Sequence, residues 1–183
     1  MKIKKERTIV INESFTIEMG GEICLEIYEL SQTSKEDINI IINSFGGSIK
    51  ALRTILNGLK ASGCKINTIL IGTVAFSCGA ILFLSGDERI ILEGSELLLH
   101  EPGIDFSTEE TVTYTKLQQE LREIKKDKKL FLEIIMKSSN FTRKVINEKI
   151  KGKDWYISSS EALKFGMATE LIYSFDEIAE DKE

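Results

Sequence analysis

One proline and one histidine stand in a chain of 183 residues, and each scarcity excludes something. The lone proline rules out Pro-rich linkers and collagen-like repeats. One histidine and three cysteines (Cys24, Cys64 and Cys78), none spaced Cys-x-x-Cys, do not make a zinc ligand set, and no metal or organic cofactor is expected. The odd cysteine count fits a reducing compartment better than a disulfide-stapled secreted scaffold. Long apolar runs are also missing. The longest, around Ala80–Leu84, is far below the ~20 residues a bilayer requires. Ile9–Ile11, after a basic start, is too short for the apolar region of a signal peptide. Positive charge is not in excess: 24 Lys and Arg against 29 Asp and Glu give a net charge of −5. With a pI near 5.2, the surface does not suit nucleic acid or anionic lipid. The expectation is a soluble cytoplasmic protein with neither nucleic acid nor membrane as partner.

The chain is 42% hydrophobic and 29% charged, enough to bury a core, and its length suits one domain. Strand-like and helix-like segments alternate in the first half. Arg7–Asn12 is a short β-branched run, and Gly20–Leu30 carries Ile23, Ile27 and Leu30 at helical spacing. Ile38–Ile42 reads as a strand buried on both faces. Ser44-Phe45-Gly46-Gly47-Ser48 marks a tight turn, and Ile49–Leu59 shows one apolar helical stripe. Ile66–Val74 is β-rich, Ala80–Leu84 helix-like, and Arg89–Leu92 and Glu96–Leu99 strand-like. The alternation predicts an α/β protein with a mostly parallel sheet.

The second half differs. Ser107–Ser138 has no turn signal, and Leu117, Leu121, Ile124, Phe131 and Ile135 line one face of a long helix. Lys128 interrupts that face within Lys-Lys-Asp-Lys-Lys, a run that reads as solvated. Ser158 and Glu161 offer a capping box for a short helix ending at Gly166. Leu171–Tyr173 reads as a closing strand, and the acidic end should fray.

Several segments could carry chemistry. Ala75-Phe76-Ser77-Cys78-Gly79 lies between a strand-like and a helix-like run. Small residues two before and two after Ser77 suit a sharp turn that holds a hydroxyl over the sheet edge. The same segment also reads as a plain N-cap with small neighbours. His100 ends a strand-like run, where catalytic groups gather in α/β sheets, and a serine nucleophile would have no other histidine as base. A half-buried histidine at a strand end is the bland alternative. The glycines Gly46 and Gly47 can turn backbone N–H groups inward as an anion nest, or simply make a turn. Asp154, beside Trp155 and Tyr156, could be partly buried and orient an imidazole, although many acids compete for that role.

In order along the chain, four segments resemble the Clp protease proteolytic subunit family. Ile42-Asn43-Ser44-Phe45-Gly46-Gly47 is similar to its Ile-Asn-Ser-Pro-Gly-Gly turn, and Ala75-Phe76-Ser77-Cys78-Gly79-Ala80 to its Ala-x-Ser-Met-Gly-Ala segment. Leu99-His100-Glu101-Pro102 is similar to its Ile-His-Gln-Pro segment. Asp154 to Gly166 is similar to its Asp-x-x-x-Ser-Ala-x-Glu-Ala-x-x-Tyr-Gly stretch. The resemblance implies a ClpP/crotonase-like spiral of ββα units with a protruding handle helix. It implies one domain over 1–183, with a head of 1–104 and 139–175, a handle of 105–138 and a frayed tail of 176–183. It implies Ser77 as nucleophile, His100 as general base and acid, Asp154 as its orienter, and the Gly47 and Cys78 amides as oxyanion hole. It implies cleavage of unfolded polypeptide inside stacked heptameric rings fed by a ring ATPase unfoldase, with the triad aligned in the assembled rings.

Three departures stand out. Phe45 replaces a proline, Lys153 replaces an arginine whose planar fork Lys cannot copy, and Gly103-Ile104-Asp105-Phe106 lacks the family's glycine-rich pattern. Three other readings follow from the same segments: a phage-type capsid or scaffold maturation protease working without an ATPase, a catalytically silent ring subunit, and a crotonase-like acyl-CoA enzyme.

Overall fold

A computed structural model describes residues 2–103 and 112–179. β1 (Thr8–Ile11), β2 (Ile38–Ser44) and β3 (Ile66–Phe76) lie side by side in parallel, connected by α1 (Ile17–Thr33) and α2 (Ile49–Ser62). Parallel neighbours require crossovers, and the two amphipathic helices supply them while covering one sheet face. Ile38, Ile40 and Ile42 of β2 are wholly buried on that face, against Ile27 of α1 and Leu52 and Ile55 of α2, also at 0% exposure. Each such side chain contributes about 1.5–3 kcal/mol of hydrophobic burial. The helices begin at hydroxyl caps: Thr16 Oγ1 accepts from Met19 N, and Ser48 Oγ accepts from Ala51 N.

β3 is the organising strand because it serves two sheet regions. Its first part, from Asn67 to Leu70, pairs with β4 (Glu88–Leu92). Its last part, from Val74 to Phe76, pairs with β5 (Glu96–Leu99). Between them the register against β2 slips: Ile42 faces Leu70 but Ser44 faces Ala75. That bulge re-aims the strand. Gly72 lies in it, because a Cβ there would sit 2.1 Å from Asn43 Oδ1, and Ser95 Oγ donates to the Gly72 carbonyl at 2.6 Å. The strand then ends in α3 (Cys78–Leu84), all seven of whose residues are buried.

The long helix α4 spans Tyr114–Lys137, capped by Thr113, so the helical expectation from Ser107 is corrected at its start: Val112 and Thr113 are not helical, and residues 104–111 lie outside the described residues. Phe131, Leu132 and Ile135 are buried, whereas Tyr114, Leu117 and Leu121 are exposed, so the N-terminal half of the apolar face leaves the core. α5 (Arg143–Ile150) and β6 (Trp155–Ser158) had no counterpart in the sequence reading. β6 pairs antiparallel with β5, beside parallel neighbours. α6 (Ser159–Lys164) opens with the expected capping box of Ser158 and Glu161, and Gly166 takes the left-handed φ of 76°. β7 (Glu170–Ile172) closes parallel on β4. The tail expected to fray from 176 is held further on. Ser174 and Glu177 cap a 3-10 turn over Phe175–Glu177, and Ile3 N donates to the Ile178 carbonyl at 2.9 Å. Residues 180–183 lie outside the described residues.

Candidate active site

Ser77 is the one non-glycine residue at positive φ among the described residues, with φ 52° and ψ −118°. Such a conformation costs of the order of 1–3 kcal/mol and persists only where the surroundings enforce it. Two bonds enforce it here: Ser77 N donates to the Leu98 carbonyl of β5 at 2.9 Å, and Ile81 N donates to the Ser77 carbonyl at 3.0 Å. The hydroxyl caps no amide of α3. Ser77 therefore occupies the N-cap position without performing its usual bond, and its side chain stays half-buried at the elbow. Gly79 is required next to it, since a Cβ would lie 2.9 Å from the Ser44 carbonyl.

The turn at Gly46 and Gly47 packs onto this elbow. A Cβ on Gly46 would meet the Phe76 carbonyl and Ser77 Cβ, each at 2.8 Å, and Cys78 N at 3.1 Å. The Gly46 carbonyl accepts from Phe15 N at 2.8 Å, and Ser48 N donates to the Phe15 carbonyl at 2.8 Å. Because the peptide is planar and trans, fixing the Gly46 carbonyl turns the Gly47 N–H to the opposite side. Cys78 Sγ donates to the Gly47 carbonyl at 3.2 Å, which ties turn to elbow again. Burial, the largest influence, pushes the Cys78 thiol up to about 11, although a hydrogen bond with the Ser77 side chain works the other way. The thiol is neutral at physiological pH. Phe45 does not leave the turn loose. Its ring meets Phe76 edge-on at 5.6 Å, and Phe76 meets Tyr156 edge-on at 5.9 Å, contacts worth about 0.5–1.5 kcal/mol each.

The fork in β3 decides what stands opposite Ser77. Phe76 pairs with Leu98, and Leu99 pairs with Trp155. His100 leaves the C-terminal end of β5 as Asp154 enters the N-terminal end of β6, so Ser77, His100 and Asp154 come to one end of the sheet. His100 and Asp154 line a common cavity of about 350 Å³ with Glu101, Ile150, Gly152 and Lys153. Asp154 is exposed, which corrects the expectation of partial burial. Its neighbour Trp155 is the buried one, edge-on to Phe141 at 5.4 Å, with Lys149 Nζ 5.3 Å from its ring centre.

His100 Nδ1 lies 2.7 Å from the carbonyl of Glu101. A proton donated there leaves Nε2 as the acceptor, the tautomer a general base needs. Among the described residues no hydrogen bond joins Ser77 to His100 or His100 to Asp154; the three are neighbours at the sheet end rather than a closed relay. Sequence reasoning missed Glu101. Its carboxylate accepts from Lys128 Nζ of α4 and from Gly152 N at 3.1 Å, and these two donors hold it below the usual carboxylate range. It also missed that the charged run in α4 is not wholly solvated. Asp127 is buried, 3.4 Å from Arg53 of α2, and desolvation raises its carboxyl despite that cation. The Lys-Lys-Asp-Lys-Lys pattern carries no signal for either contact.

An α/β spiral whose sheet ends in a strained serine elbow, with histidine and aspartate brought to the same edge, is the architecture of a serine peptidase. The sequence profile of the Clp protease family matches residues 1–174, and the chain belongs to that family. It is 28% identical over 180 residues to the ATP-dependent Clp protease proteolytic subunit 1 of Chlamydia muridarum, covering 97% of this chain and 92% of that one. It is also 28% identical over 183 residues to proteolytic subunit 2 of Chlamydia pneumoniae, covering 98% and 87%. A solved ClpP1 mutant from Listeria monocytogenes superposes with a TM-score of 0.79 at 22% identity, over 93% of this chain and 94% of that one. The fold is thus the ClpP fold. The family match sets aside the crotonase alternative, and no helix among the described residues is long and apolar enough to cross a membrane.

Proposed function

We propose that the chain is the peptide-cleaving component of an ATP-dependent protease, with Ser77 as nucleophile, His100 as base and then acid, and Asp154 as the group that orients the imidazole. The observation that carries the assignment is the elbow: an enforced positive φ at a serine whose hydroxyl caps nothing, at the end of the strand that pairs with β5. His100 Nε2 takes the Ser77 proton as Oγ attacks the peptide carbonyl. The amides of Gly47 and Cys78 then receive the oxyanion. The first lies in the turn packed on the elbow, and the second is the first amide of α3, which has no intrahelical acceptor. His100 returns the proton to the leaving amine, and water attacks the acyl-enzyme by the same route. Each oxyanion donor contributes about 3–4 kcal/mol to lowering the barrier. For Asp154 to serve, the imidazole turns Nδ1 from the Glu101 carbonyl to the carboxylate.

We further infer a homo-oligomer, in stacked heptameric rings, acting in the cytoplasm on polypeptide unfolded by a Clp-type ring ATPase. The names of the relatives support the ATPase. The exposed stripe of Tyr114, Leu117 and Leu121 on α4 supports association.

Labelling of the assembled particle with a fluorophosphonate, read by intact mass and peptide mapping, tests the assignment. The expected result is one adduct on Ser77, absent in Ser77→Ala and slowed in His100→Ala. An assembled particle that hydrolyses peptides but takes no adduct at Ser77 would refute it.

A further inference from the structure

We propose that Glu101 is a positioning residue for His100 and Asp154, and that it works by tying the segment before Asp154 to the end of β5 and to α4. The proposal rests on the roles given above to Ser77, His100 and Asp154. Three elements meet at this one side chain. Glu101 follows His100 directly, just past the end of β5. One carboxylate oxygen accepts from Lys128 Nζ in the middle of α4. The other accepts from Gly152 N at 3.1 Å, in the connection between α5 and β6.

That connection needs such a tie. Lys151, Gly152, Lys153 and Asp154 are all exposed, so packing does not hold them. Gly152 takes the left-handed φ of 62°, where the chain turns just before Asp154. On its C-terminal side Asp154 is anchored by buried Trp155. On its N-terminal side Lys151 N still reaches back to the Asn147 carbonyl at 3.0 Å and Lys153 N to the Ile150 carbonyl only at 3.5 Å, both back to α5, whereas the bond from Gly152 N to Glu101 crosses to the residue that follows His100. The pair is not an ordinary surface ion pair, which would contribute little. Glu101 and Lys128 side chains are 31% and 34% exposed, and one carboxylate oxygen is spent on a backbone amide. Glu101 and Gly152 also line the cavity shared by His100 and Asp154. Losing the tie lets the Asp154 carboxylate and the imidazole drift apart, and a misplacement of about 1 Å at such a site costs of the order of 100-fold in rate.

The test uses the assembled particle and a fluorogenic peptide, with kcat, KM, fluorophosphonate labelling rate, melting temperature and oligomeric state read for each variant. Glu101→Ala should lower kcat and the labelling rate by about 10- to 100-fold, with KM and assembly close to the parent and a melting temperature only modestly lower. Glu101→Gln, which keeps an acceptor for Gly152 N, should recover much of the rate. Lys128→Met should lower kcat less, and the double variant of Glu101→Ala with Lys128→Met should be no slower than Glu101→Ala alone, because both act through one carboxylate. Where Glu101→Ala does not assemble, Glu101→Gln and Lys128→Met carry the comparison. Parental kcat in an assembled Glu101→Ala particle overturns the proposal. So do rate losses that multiply in the double variant or that track melting temperature. Activity surviving in Ser77→Ala is a different pattern: it removes the assignment of the nucleophile, and this proposal with it.

Discussion

Gly46 offers a direct test of whether the turn and the elbow are one unit. Replacing it with alanine adds two separable costs. The first is backbone strain at φ 95°, about 1–2 kcal/mol for a residue with a Cβ. The second is collision. The new methyl would sit 2.8 Å from the Phe76 carbonyl and 2.8 Å from Ser77 Cβ, and overpacking against atoms that cannot rotate away costs about 1–3 kcal/mol. Gly63 supplies the control. It takes φ 67° at the end of α2, and a Cβ there meets nothing within 4 Å, so Gly63→Ala carries the strain alone. Gly46→Ala should therefore lose about 2 kcal/mol more than Gly63→Ala. For a chain of this length that is a further drop of roughly 4–8 °C in melting temperature, measured at equal protomer concentration. The activity should separate the two more sharply. The Gly46 methyl pushes on Ser77 Cβ and Cys78 N, and kcat should fall about 100-fold, whereas Gly63→Ala leaves it alone. Equal melting losses in the two variants, or a parental kcat in Gly46→Ala, would refute the claim that the turn is packed against Ser77.

Three further outcomes follow from the same geometry. Ser77→Gly should abolish activity yet raise stability by about 1–3 kcal/mol, because glycine relieves the positive φ; thermal melting beside Ser77→Ala checks it, and an unchanged or lower stability than Ser77→Ala would count against strain at the elbow. The Cys78 thiol, raised from 9.0 to about 11, binds a proton more tightly folded than unfolded. Its contribution is full below pH 9.0 and is lost as pH rises toward about 11, about 3 kcal/mol in total; denaturant unfolding across that range should show the loss in the parent and not in Cys78→Ala. Ser158→Ala should cost about 1 kcal/mol by removing the capping box of α6, visible as a shift in the denaturant midpoint with kcat unchanged.

Much of the fold was legible because its signals are local. β1 to β5 and α1 to α3 follow from continuous Ile- and Leu-rich runs and from helical spacing, and the capping box at Ser158 from two residues three apart. The elements that escaped notice are those without a periodic signature: α5, whose apolar face is only Ile146 and Ile150, and β6, four residues long. The site divides the same way. Ser77, the glycine turn and His100 could be picked out because each sits where a strand-like run gives way to a turn or ends. Asp154 could be named only by likeness to a family, since an exposed aspartate among 29 acids carries no local mark.

By itself, the sequence determined most of the strands and helices, though not α5 or β6, and which residues could do serine chemistry, because propensity, periodicity and side-chain chemistry belong to neighbouring residues. What only the tertiary structure decided is how distant segments meet. The bulge at Gly72 splits β3 between β4 and β5, β6 enters antiparallel so that Asp154 arrives beside His100, and Glu101 joins α4 to the connection at Gly152. Those choices depend on register and close approach between residues far apart in the chain, set by packing of the whole core rather than by any short stretch of sequence.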